Sequence, residues 1–95
     1  MPEVRLRYVG ILRLKTRQAQ ETIQVTTGST LRELLQEVGR RHGRQVSGLL
    51  LNERGYLADG LLVLLEGGGR PDLDWIFTDN AQATILVLSP MMVGG

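Results

Sequence analysis

The sequence predicts an α+β fold, a roll in which one mixed β-sheet packs on one main helix. Three observations point there. Apolar residues alternate with period two at the start of the chain, recur at three and four in its middle, and form short runs bounded by turn residues thereafter. A hydrophobic fraction of 42% with only 4% aromatic residues calls for a thin aliphatic core of the kind one helix-on-sheet interface provides. Last, 95 residues suffice for one such core and not for two, so residues 1–95 read as a single domain with a flexible C-terminal tail at 90–95.

Val4, Leu6 and Tyr8 alternate with Arg5, Arg7 and Val9, which predicts a strand with one buried and one wet face from about Glu3 to Leu12. The polar, aperiodic "KTRQAQE" then reads as a connection, and Ile23 and Val25 mark a second strand from Glu21 to Val25, closing a hairpin. In "TTGSTLRELLQEVGRRHG" the period changes. Leu31, Leu34, Leu35 and Val38 form the stripe of an amphipathic helix, with Thr30 and Glu33 spaced as a capping box and Gly28 supplying the turn before it. Arg40, Arg41 and His42 lie where the helix dipole favours cations, and Gly43 suits the left-handed position past the end.

"VSGLLLNERGYLADG" reads as a loop with room for a short strand. The continuous apolar "LLVLLE" predicts a strand buried on both faces at the sheet centre, and "GGGRPD" a break after it. A short segment, "LDWIFTDNAQ", turns at Asp79 and Asn80 before "ATILVLS", the last strand, which Ile85, Val87 and Pro90 bracket and which runs straight into the tail.

Composition removes several functions. Without cysteine there is no disulfide framework, thiol nucleophile or Cys-based zinc site. A net charge of +1 gives no bulk argument for nucleic acid, although Arg5, Arg7, Arg13, Lys15 and Arg17 crowd the first part and Asp59, Glu66, Asp72, Asp74 and Asp79 lie in the second. The opening "MPEVRLRYVG" is not a signal peptide, and no apolar run approaches the roughly 20 residues that span a bilayer, so a cytoplasmic protein is expected.

Candidate chemistry is sparse. His42 is the sole histidine and reads as a helix-end residue rather than a base. The glycines of "EGGGRP" lack phosphate-loop spacing, and Asp72, Asp74 and Asp79 lack the ordered ligand spacing of a calcium loop. Trp75 reads as a packing residue near the sheet edge, as do Tyr56 and Phe77 as packing residues. No nucleophile, base and oxyanion donor can be assembled, so an independent enzyme is not expected and no metal or bound cofactor is called for.

The tail "SPMMVGG" is the remaining feature. Two glycines without Cβ atoms can thread a channel too narrow for side chains. At roughly 3.3 Å per residue, the segment from Pro90 to Gly95 could reach about 20 Å. Met91, Met92 and Val93 would supply adaptable apolar contacts along a partner's groove.

The β-β-α-β order, "VRLRYVGILR", "TTGSTLRELLQEV" and "LSPMMVGG" together resemble the MoaD/ThiS group of ubiquitin-like sulfur carriers, and most of all the molybdopterin synthase small subunit. The resemblance implies a β-grasp fold and a non-catalytic carrier role, most plainly in molybdopterin biosynthesis. An E1-like enzyme would use ATP to adenylate the terminal carboxylate of Gly95, and sulfur would then make it a thiocarboxylate. Gly94 would thread the partner's channel, with Met91, Met92 and Val93 guiding docking. The implied partners are that adenylating enzyme and a synthase large subunit or other sulfur acceptor, with no nucleic acid and no membrane. Two alternatives stand beside this: a modifier joined through Gly95 to target lysines, and a non-covalent β-grasp adaptor. Lys15, the sole lysine, restricts self-conjugation to one side chain.

Overall fold

The structure, a computed structural model, describes residues 2–79 and 84–90. In chain order the elements are β1 (Glu3–Tyr8), α1 (Ile11–Thr16), β2 (Gln20–Gln24), α2 (Leu31–His42), α3 (Arg44–Leu50), β3 (Leu61–Leu65) and β4 (Thr84–Pro90). The four strands form one mixed sheet in the order β2-β1-β4-β3. β1 is antiparallel to β2 and parallel to β4, and β3 is antiparallel to β4. The α+β roll expected from the pattern is therefore the fold observed.

The alternation in β1 is realised side chain by side chain. Val4, Leu6 and Tyr8 are buried, and Glu3, Arg5 and Arg7 face solvent. Ile23 and Val25 continue this face, and Leu31, Leu34, Leu35 and Val38 of α2 close over it. Each of these apolar groups contributes about 1.5–3 kcal/mol by leaving water, so the single interface outweighs every polar contact described below.

α2 begins as its sequence requires. Thr30 accepts from the Glu33 amide while the Glu33 carboxylate accepts from the Thr30 amide, a complete capping box. The two preceding donors of the first turn are satisfied from outside: the Leu31 amide donates to the Trp75 carbonyl at 2.9 Å and that of Arg32 to the Leu73 carbonyl at 3.0 Å. Segment 73–77 is thus bonded across the helix start, with Phe77 buried and Trp75 half-buried, their rings edge to face at 5.0 Å. Trp75 does pack, half-buried against the core, with its carbonyl bonded at the helix N-terminus. Tyr56, expected to pack, is 60% exposed.

Three other expectations are corrected. The first strand ends at Tyr8, because Gly10 at φ 64° turns the chain into α1, whose Leu12 and Thr16 are buried. The hairpin connection therefore holds a helix. A second helix, α3, replaces the predicted loop. Gly43 adopts φ 87°, ψ −174°, a region open essentially to glycine alone, and so ends α2 and starts α3 in one residue. Val46 and Leu50, four apart, are the buried side of α3, and Gly39 lets it approach closely, since a Cβ there would lie 2.7 Å from Ser47 Cβ. The short strand allowed for reduces to one bridge, Leu51 to Leu57, around a turn held by the Asn52 side chain. Finally, β3 is an edge among the described strands, and β1 and β4 are central. Its Leu61 and Val63 are buried, whereas Leu62, Leu64 and Leu65 are half-buried.

Candidate functional site

β4 determines where the C-terminal segment leaves the fold. It lies between two partners, and its last residues pair Leu88 with Tyr8 and Pro90 with Leu61. The chain therefore passes residue 90 beside the end of β1 and the start of β3. Met91, Met92, Val93, Gly94 and Gly95 follow and lie outside the described residues.

Around that point the first connection builds a corner. α1 packs against β1, β4 and α3, and its outward side carries Arg13, Leu14 and Lys15. Thr16 is the buried polar residue here, its hydroxyl donating to the Leu12 carbonyl at 2.7 Å. Arg17 holds the left-handed conformation at φ 60° that turns the chain towards β2. Leu14, 75% exposed, and Val9, 43% exposed, stand uncovered at this corner.

Beneath it lies a polar network that pattern reading missed. The Tyr8 hydroxyl donates to Glu21 Oε1 at 2.6 Å, and His42 Nε2 lies 2.8 Å from the same oxygen. Arg41 Nη1 is 3.6 Å from Glu21 Oε2, and Arg41 also joins Arg40 in gripping Glu37. Burial works against the Glu21 charge, but Tyr8, His42 and Arg41 outweigh it and hold the carboxyl below its usual range. Burial, with the Glu21 bond, pushes the Tyr8 hydroxyl far up, so it stays a donor. Hydrogen bonds from Arg40 and Arg41 hold Glu37 at about 2. His42 is consequently neither a base aimed at a cleft nor a simple helix-end residue; it ties the end of α2 to β2. The signal available was Tyr8 itself, since a tyrosine on the buried face of a strand needs a partner for its hydroxyl.

The other candidates are structural. Gly67, Gly68 and Gly69 all have positive φ and turn the chain after β3, with the Leu65 amide bonded to the Gly69 carbonyl at 3.0 Å. Asp72 accepts from the Asp74 amide, and Asp74 pairs with Arg32 at 3.2 Å. Among the described residues no group of three or more potential ligands could hold a metal, and no helix is long and apolar enough to cross a membrane.

No protein-family model matches the chain, and no curated protein matches it by sequence. Solved structures do match in fold. SAMP1 from Haloferax volcanii aligns with a TM-score of 0.78 at 19% identity, covering 98% of this chain and 99% of that one. The Pyrococcus furiosus protein assigned as molybdopterin converting factor subunit 1 gives 0.73 at 19%, covering 97% and 100%. Urm1 from Trypanosoma brucei gives 0.75 at 18%, covering 98% and 95%. The chain thus has the β-grasp, ubiquitin-like fold that the sequence resemblance implied.

Proposed function

We propose that this protein is a sulfur carrier whose Gly95 carboxyl is the reacting group, with molybdopterin biosynthesis as its destination. The observation that carries the reading is the placing of β4: a strand paired on both sides leads past Pro90 into a segment ending Gly94–Gly95. A fold like that of the molybdopterin converting factor subunit supports the destination. A carboxylate is a poor electrophile until one oxygen becomes part of a leaving group. On a partner adenylating enzyme, a Gly95 oxygen attacks the α-phosphorus of ATP and pyrophosphate leaves. A persulfide sulfur then attacks the acyl carbon, AMP departs with the C–O electron pair, and a thiol cleaves the resulting acyl disulfide to leave the thiocarboxylate. The chain supplies the reacting group, holds no cofactor of its own and is substrate rather than catalyst. Gly94 threads the partner's channel, and Met91, Met92 and Val93 line the approach.

Intact mass after incubation with ATP, the cognate adenylating enzyme and a persulfide donor tests this. The expected gain is that of exchanging one oxygen for sulfur, absent from a variant lacking Gly95. An unchanged mass with a demonstrably active enzyme would sink the reading.

One observation favours a second reading, a modifier attached to lysines: the fold is also that of a protein described as small archaeal modifier protein 1. Lysine-linked Gly-Gly remnants on other proteins would then be found after proteolysis. Self-conjugation would be confined to Lys15, which is exposed on α1.

A further inference from the structure

The uncovered corner beside the end of β4 has a chemistry of its own. From Val4 to Gln20 the chain contains Arg5, Arg7, Arg13, Lys15 and Arg17 and no acidic residue. Arg13, Lys15 and Arg17 are exposed, and among the described residues none has a carboxylate within ion-pair distance. Arg7 reaches only Glu66, at 3.9 Å, with both side chains more than half exposed. Arg5, Arg44, Arg54 and Arg70 also lack an ion pair among the described residues, so what sets this corner apart is three such cations within five positions and no carboxylate between Val4 and Gln20, which leaves their charge available to another molecule. Leu14 and Val9 of the same segment are apolar groups that the fold leaves in water. Each lines a shallow depression: Val9 one that runs from Arg7 to Gln20, Leu14 one that includes Arg17 and Gln18, with Arg13 and Ala19 walling both.

We infer that this corner, from Val9 to Ala19, is a docking surface for an apolar protein surface bearing carboxylates, carried by the adenylating enzyme that receives the segment after Pro90. The inference rests on the carrier reading and adds a second point of contact to the tail. Charge complementarity selects the occupant: exposed apolar groups interspersed with cations fit an apolar surface bearing carboxylates and repel a basic one. Position selects the partner, because α1 packs on β4, and a protein holding the tail is brought against this corner. The tail supplies the reacting carboxylate, and the corner supplies orientation and rate of encounter.

The test measures binding to the cognate adenylating enzyme and ATP–pyrophosphate exchange. It compares the native chain, Arg13→Glu/Lys15→Glu, Leu14→Asp, Arg54→Glu and a chain lacking Gly95. All the substituted side chains are exposed, and unchanged thermal midpoints confirm folding. The double reversal is expected to raise Kd at least about tenfold near ~0.1 M salt and to flatten its salt dependence, leaving the exchange rate at saturation unchanged. Leu14→Asp is expected to raise Kd about tenfold as well. Arg54→Glu, on the turn beside Arg32, serves as a remote control and should change Kd less than about twofold. If the double reversal and Leu14→Asp bind like the native chain while loss of Gly95 abolishes exchange, the docking surface is overturned and the carrier reading stands. If the native chain supports no exchange with an enzyme active on its own substrate, both fall together.

Discussion

The two ends of the sheet are built on opposite terms. At the end where α2 begins, every first-turn amide has an acceptor, Phe77 is 1% exposed, and the Gly28 amide donates to the Phe77 carbonyl at 2.8 Å while the Phe77 amide donates to the Ser29 carbonyl at 2.9 Å. At the end where β4 finishes, Leu14 is 75% exposed and three cations lack partners among the described residues. One end is finished by the chain itself; the other offers groups that another molecule can complete. Stability should therefore be carried by the first end and by the Tyr8–Glu21–His42 network beneath the second, whereas the exposed groups of the corner itself should be expendable.

Phe77→Ala breaks the comparison most severely. It opens a cavity where the fold is closed, and the expected cost is about 3–5 kcal/mol, seen as a fall in the denaturant midpoint. Glu21→Gln is next, since it removes the charge on which Tyr8, His42 and Arg41 converge, at an expected cost of about 1.5–3 kcal/mol. Because the Glu21 carboxyl is held below its usual range, its contribution is full above the unfolded-state value near ~4.3 and is lost as pH falls towards the lowered folded-state value. Denaturation followed from neutral to acid should show a shallower decline in the variant, with the remaining slope owed partly to Glu37. Thr30→Ala removes half of the capping box and should cost about 1 kcal/mol by the same measurement. Leu14→Ala, in contrast, should stay within about 0.5 kcal/mol of the native chain, and a larger loss would show that the corner supports the fold.

What could be read from the sequence follows the same division. The closed end was legible because α2 announces itself twice, through the Leu31–Val38 stripe and through Thr30 with Glu33, and both signals are local. The two central strands of the corner were legible too, β1 from its alternation and β4 from its apolar run. α1 was not. Its six residues give one buried apolar position, Leu12, and the other buried residue is Thr16, which looks polar in sequence and hides its hydroxyl by bonding to Leu12. β3 was recognised as a strand but misplaced, because a continuous apolar run marks burial on two faces and half-burial alike. Only the pairing order, which is non-local, distinguishes a centre from an edge. The candidate tail was legible in "SPMMVGG" alone, and the point at which the chain passes residue 90 became clear only through the pairing of Pro90 with Leu61.

The parallel pairing of β1 with β4 joins residues 4–8 to residues 84–88 at the centre of the sheet. Contacts so distant along the chain close only after a large loop has been ordered, and such topologies fold slowly. The local pieces, the β1–β2 hairpin and the α2–α3 pair, can form early, yet the sheet has no middle until β4 arrives. A ribosome-bound chain that has not yet released residue 88 thus leaves one hydrogen-bonding edge of β1 unpaired and open to aggregation. Slowing translation after β3 should therefore lower the fraction of chains that reach the native state.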